Sequence, residues 1–223
     1  RPIGVGMSAA MVVPPEELYA MCAAARAILA GPHAVRRVIA RPFRGVPGRF
    51  ERTAGRRDLA LPPPGPTALD AAAAAGLPVE GVGKVGQLFA GRGLSRDTPT
   101  AGNAEGMAVV AERAAEHEAG VVLANLLDFD TRYGHRGDAL GFAACLEEFD
   151  RALGALLPAL RPGDLLAVTA DHGNDPTAPG TDHTREWVPL LLHAPGGEPG
   201  GAAWTGQMAD LGHRVLESLG VAA

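Results

Sequence analysis

The apolar run Leu165-Leu166-Ala167-Val168-Thr169-Ala170 stops abruptly at Asp171-His172-Gly173-Asn174-Asp175-Pro176. Such a run reads as a buried strand. The loop that follows carries Asp171, His172, Asp175, Asp182 and His183 among glycines and prolines. A strand of this kind belongs inside a sheet, and open α/β sheets collect their sites at the carboxyl ends of strands. Carboxylates supply charge and neutral imidazoles supply borderline-soft nitrogen. Held on a rigid strand end, the two together are what a divalent-metal site requires.

Roughly forty residues upstream the pattern repeats. Val121-Val122-Leu123-Ala124-Asn125-Leu126-Leu127 runs into Asp128-Phe129-Asp130-Thr131-Arg132-Tyr133-Gly134-His135-Arg136. Two adjacent strands ending this way would place Asp130 and His135 opposite Asp171, His172 and His183. Five ligands exceed what one zinc or magnesium ion takes from protein, so a two-metal site is the economical reading, and it suits phosphoryl chemistry. Asp128 and Asp182 read as partners of the ligands or as loop-capping residues, and Asp175 as a turn residue. Tyr133 is expected to pack beneath the metal loop. His33, His117, His193 and His213 stand alone and are read as structural.

The rest of the chain supports an α/β fold. Leu61-Pro62-Pro63-Pro64-Gly65-Pro66 is the strongest breaker and marks a domain boundary, giving domains 1–62 and 63–223. Before it, residues 14–30 read as a helix with Glu16 and Glu17 in its first turn, and residues 35–40 as a strand. After it, Thr67 caps a helix that runs to Ala75 and ends at Gly76. Residues 79–83 read as a strand, 105–118 as a helix, 187–193 as a strand and 205–219 as a closing helix. From Asp138 onward Phe142, Cys145, Leu146, Phe149, Leu153, Leu156 and Leu157 recur at helical spacing and read as a core stripe. Strands alternating with helices argue a mostly parallel sheet sandwiched by helices.

Composition excludes several classes. A net charge of −5 without any Lys/Arg-rich run argues against nucleic acid as a partner. No apolar stretch approaches the roughly 18 residues of a membrane span, and no secretory signal pattern opens the chain. Cys22 and Cys145 each fall in an expected helix and read as buried thiols of a cytoplasmic protein.

Four segments carry a resemblance: Ala40-Arg41-Pro42-Phe43; Gly83-Lys84 with Phe89-Ala90-Gly91; Asp128 to Arg136; and Thr169 to Glu186. On these the chain resembles the phosphopentomutases of the alkaline phosphatase superfamily, in family order from about residue 14 to the end. The related cofactor-independent phosphoglycerate mutases also have a strand ending in Ala-Asp-His-Gly. They place the other His four residues after its Asp, whereas His135 follows Asp130 by five. The resemblance implies an alkaline-phosphatase-like core, incomplete here, with the remnant of a small α+β cap domain. It implies that Asp130, His135 and His183 hold one Mn²⁺ and that Asp171 and His172 are ligands of a second. Arg41, Arg56 and Lys84 stand where the family gathers positive charge for the sugar phosphate, and Arg57 stands where the family usually has His. The implied reaction moves phosphate between C1 and C5 of ribose or 2-deoxyribose, through a phosphothreonine enzyme and a sugar bisphosphate. The family's nucleophilic Thr and one further Asp ligand have no counterpart here, residues 1–13 match poorly, and the first residue is Arg1. The expectation is therefore a fragment or truncated product that is inactive alone. A phosphatase or phosphoglycerate mutase relative, or a non-catalytic metal-binding remnant, are the rival readings.

Overall fold

The computed structural model describes residues 4–7, 13–116, 119–197 and 205–222. It falls into two compact units, Arg1–Pro64 with Gln87–Arg92, and Gly65–Gly86 with Gly93–Ala223. The punctuation at Pro62 to Pro66 thus lies at the first crossing, and residues 87–92 return to the first unit.

The first unit runs through β1 (Gly4–Met7), α1 (Pro15–Ile28), β2 (Arg37–Ala40), β3 (Phe43–Val46), β4 (Arg49–Arg52) and β5 (Arg57–Ala60). Pro15 in the first turn and the acids Glu16 and Glu17 suit the start of α1, where free N–H groups and the helix dipole favour them. The helix buries Leu18 and Cys22 against Val38 and Ala40 of β2. Its Arg26 reaches past the helix end and donates to the Val35 carbonyl at 2.6 Å and to the Leu29 carbonyl. β2 pairs with β1 in parallel and with β5 antiparallel. β3 and β4 form a hairpin that periodicity did not reveal. Its signal was the Pro47-Gly48 turn, where Gly48 sits at φ 84°, a conformation only glycine adopts without strain.

The second unit contains α2 (Ala68–Ala74), β6 (Val79–Val82), the start of α3 (Val85–Phe89), β7 (Arg96–Thr98), α4 (Asn103–Glu116), β8 (Val121–Ala124), α5 (Ala139–Leu156), β9 (Leu166–Thr169), β10 (Leu190–His193) and α6 (Met208–Ser218). Thr67 caps α2 as expected, in a box with Asp70, and Gly76 beyond its end is left-handed at φ 80°. The end of the helix expected over 105–118 lies outside the described residues. β6 is buried throughout and lies between β7 and β8, all parallel. Its one charge, Glu80, accepts from Thr98 Oγ1 at 2.5 Å and meets Arg113 Nε at 3.1 Å. Pairing of this kind is what allows a carboxylate inside a sheet.

Four expectations need correction. β8 and β9 are not neighbours: β8 pairs with β6, whereas β9 pairs antiparallel with β10. β9 is also only half-buried, and Val122 and Leu123 of β8 are exposed. An apolar run does not say whether its strand is central or at an edge, because periodicity is the same in both. The strand expected from residue 187 begins at Leu190, with Trp187 outside it and 82% exposed. Leu146, placed on the core stripe of α5, is exposed, whereas Cys145 and Leu156 are buried.

Arg113→Met should destabilise the second unit, because it leaves the buried Glu80 carboxylate with only the more distant and exposed Arg96, at 3.6 Å, as its ion-pair partner. A lowered urea midpoint at unchanged slope would confirm it.

Candidate metal centre

Asp130 is delivered by a single π-helical turn, Phe129–Tyr133, which follows the end of β8. Such turns are rare and shift the register of side chains by one position. Phe129 anchors the turn, with its ring 5.6 Å from Phe142 and 6.1 Å from Phe149 on α5. The Phe142 stripe, read as core alone, therefore also seats the turn that carries Asp130. A short 3₁₀ turn, Gly134–Arg136, follows and carries His135. Gly137 at φ 62° ends it, and Asp138 caps α5 by accepting from Gly141 N at 2.9 Å.

The second loop folds back on itself. Thr184 N donates to the Gly173 carbonyl at 2.9 Å, a bridge that sets His172 and His183 side by side. Their rings stack at 3.6 Å between centroids, and His183 lies 4.9 Å from the His135 ring.

Asp130, His135 and His183 converge. Asp130 Oδ1 is 3.3 Å from His135 Nε2 and 3.2 Å from His183 Nε2. One ligand atom from each of the three lies within 4.8 Å of the others. His135 Nδ1 bonds the Thr181 carbonyl, which selects the tautomer with its proton on Nδ1 and leaves Nε2 as an acceptor facing the cluster. The side chains are 26%, 38% and 47% exposed, so water and ions reach them. One oxygen and two imidazole nitrogens fit a divalent transition metal.

Asp171 and His172 form a looser pair, with Oδ1 to Nε2 at 3.6 Å and Asp171 largely exposed. They join the cluster through the stacking of His172 on His183. Asp128 lies elsewhere in function. It accepts from Asn103 N at 2.9 Å at the start of α4, while its own N–H donates to Asn103 Oδ1. Asp175 is a turn residue that accepts from Thr177 N and Oγ1, and these bonds hold its carboxyl below the usual range. Asn174 escaped the sequence reading. Its amide donates to Asp130 Oδ1 at 2.7 Å. Its position inside Asp-His-Gly-Asn was the available signal.

The basic candidates are divided. Arg41 and Arg56 belong to the first unit and Lys84 to the second. Arg56 shares the buried carboxylate of Asp58 with Arg37, at 2.9 and 2.7 Å. Burial, and then the charges of Arg56 and Arg52, lower the basicity of Arg41. Arg57 stacks over the Tyr19 ring at 3.7 Å.

Residues 79–223 match the Metalloenzyme superfamily, and the chain belongs to that family. It is 54% identical over 209 residues to a protein of Anaeromyxobacter dehalogenans (strain 2CP-1 / ATCC BAA-258) named phosphopentomutase, covering 94% of this chain and 54% of the relative. A phosphopentomutase of Syntrophotalea carbinolica is 55% identical over 181 residues, covering 81% of this chain and 46% of the relative. The chain thus spans about half the length of the curated relatives it matches. A solved structure of the PH0037 protein from Pyrococcus horikoshii superposes with a TM-score of 0.52 at 17% identity, over 80% of this chain and 59% of that one. The α/β fold expected from the sequence is thereby shown. Among the described residues no helix is long and apolar enough to cross a membrane.

Asp128→Ala should destabilise the second unit by about 1 kcal/mol through loss of the cap on α4. It should cost less divalent-metal affinity than Asp130→Ala, which paired melting and Mn²⁺ titrations would check.

Proposed function

We propose that this chain serves phosphopentomutase chemistry, the interconversion of ribose or 2-deoxyribose 1-phosphate and 5-phosphate in cytoplasmic nucleoside breakdown. The observation that supports it best is the convergence of Asp130, His135 and His183 on one point, within the Asp–His spacing that separates phosphopentomutases from phosphoglycerate mutases. Asp130, His135 and His183 are proposed ligands of one Mn²⁺, and Asp171 and His172 of a second. When bound, the metal pair supplies polarisation of a phosphoryl oxygen.

The chain's own residues have distinct tasks on this reading. The Thr181 carbonyl holds the His135 ring so that Nε2 keeps its lone pair for the ion. Arg41 and Arg56 of the proposed cap remnant are proposed substrate-binding residues by the resemblance, and Lys84 is another. Arginine suits phosphate because its planar fork donates two hydrogen bonds at once. Arg41 brings an Nε without a hydrogen-bond partner among the described residues. A group that carries phosphate between half-reactions is also required. Thr169, Thr177, Thr181 and Thr184 lie on the metal strand and loop but not in the family's nucleophile context. We therefore expect these 223 residues alone to give no turnover.

Two measurements test this. Titration with Mn²⁺ should show one tight site at most, and His183→Ala should weaken it more than Asp182→Ala. Two equally tight sites, no site in a folded chain, or the greater loss from Asp182→Ala would overturn the ligand assignment. In assays with Mn²⁺ and a sugar bisphosphate activator, the chain alone should not convert ribose 1-phosphate. A form extended to the length of its relatives should convert it and ignore 3-phosphoglycerate. Conversion of 3-phosphoglycerate instead would assign the chain to the rival class.

A further inference from the structure

We infer that Asn174 is a positioning residue for the metal site: its amide holds the Asp130 carboxylate in its ligating orientation, and Gly134 is glycine to leave room for that amide. The inference rests on the reading of Asp130, His135 and His183 as ligands.

Asn174 Nδ2 donates to Asp130 Oδ1 at 2.7 Å, and the same oxygen faces His135 Nε2 and His183 Nε2. An ionised carboxylate only accepts hydrogen bonds, so the nitrogen end of the amide must be the end that faces it. A terminal carboxylate torsion is broad and roughly two-fold, and a fixed donor restricts it to one orientation. The backbone leading into Asn174 is held, because the Gly173 carbonyl before it accepts from Thr184 N beside His183. The amide therefore ties the loop bearing His183 to the turn bearing Asp130 and His135. A neutral donor suits this task better than a cation. It orients Asp130 without cancelling the charge that attracts the metal ion.

Gly134 gives an independent sign of the same arrangement. It is buried, with φ −56° and ψ −58°, a conformation open to any residue. Its backbone does not require glycine. A Cβ there would sit 2.3 Å from Asn174 Nδ2 and 2.4 Å from its Cγ. What a larger residue there would displace is the amide, and with it the donor to Asp130.

The test is Mn²⁺ affinity of the full 223-residue chain, read from free Mn²⁺ by electron paramagnetic resonance, with thermal melting of the ion-free chain. Asn174→Ala should weaken binding about 10-fold or more, as loss of a group that orients a ligand does. Gly134→Ala should weaken it comparably in the wild-type background. It should cost little in the Asn174→Ala background, where the amide it displaces is gone. Asn174→Leu, which keeps a branched side chain but no donor, should bind as weakly as Asn174→Ala. Wild-type affinity in Asn174→Ala, or an equal cost of Gly134→Ala in both backgrounds, would overturn the inference. Early melting of every Asn174 variant would make the amide a structural brace and overturn it too. His183→Ala tests the ligand set separately. If it binds Mn²⁺ like wild type while Asn174→Ala does not, the ligand assignment fails. If it loses binding while Asn174→Ala does not, only the positioning role fails. No binding by the wild-type chain would remove both.

Discussion

Asp130 Oδ1 is the point on which two separate loops agree. His135 Nε2 and Asn174 Nδ2 approach it from either loop, and His183 Nε2 completes the set. Of the three nitrogens the Asn174 amide is the donor, and its hydrogen bond ties the two loops together through the carboxylate. The imidazole nitrogens face the same oxygen with their lone pairs directed to the space between. Loops that carry chemistry need such supports, because the strands beneath them fix only where they begin. Here that matters more than usual, since β8 and β9 belong to different sheets.

The supports come from ordinary packing. Phe129 is gripped by Phe142 and Phe149 of α5, so the π-helical turn cannot rotate Asp130 away. Asn103 and Asp128 exchange hydrogen bonds between the start of α4 and the start of that turn. On the other side, the bridge between Gly173 and Thr184 closes the second loop at its base. The three convergent side chains remain accessible to water. Their polar atoms are thus available to an ion, and their backbones are not free to drift.

Much of this was legible in residue order. Thr67 and Gly76 marked both ends of α2 through capping chemistry, which is local, and the structure adds Asp70 to the cap. The stripe from Phe142 to Leu156 marked α5, and the Asp/His-bearing loops marked the centre. The hairpin of β3 and β4 was missed because β3 alternates over only four residues and β4 is exposed throughout, although Pro47-Gly48 announced its turn. Leu146 was assigned to the core by spacing, yet it is exposed, since a stripe one residue wider than the buried face looks identical in sequence. Asn174 was passed over because a lone amide in a loop carries no spacing rule.

By itself the sequence determined which residues could act as ligands, where the main helices lie, and that strands deliver those ligands into loops. These properties depend on side-chain chemistry and on periods of a few residues. The tertiary structure decided the rest. It decided that β8 and β9 lie in different sheets, that three of the five candidate ligands meet while Asp171 stands largely exposed, and that an amide sits where Gly134 leaves space. Each of these depends on distances between residues some forty positions apart. Separations of that kind are settled by packing and strand pairing, and local pattern carries no record of them.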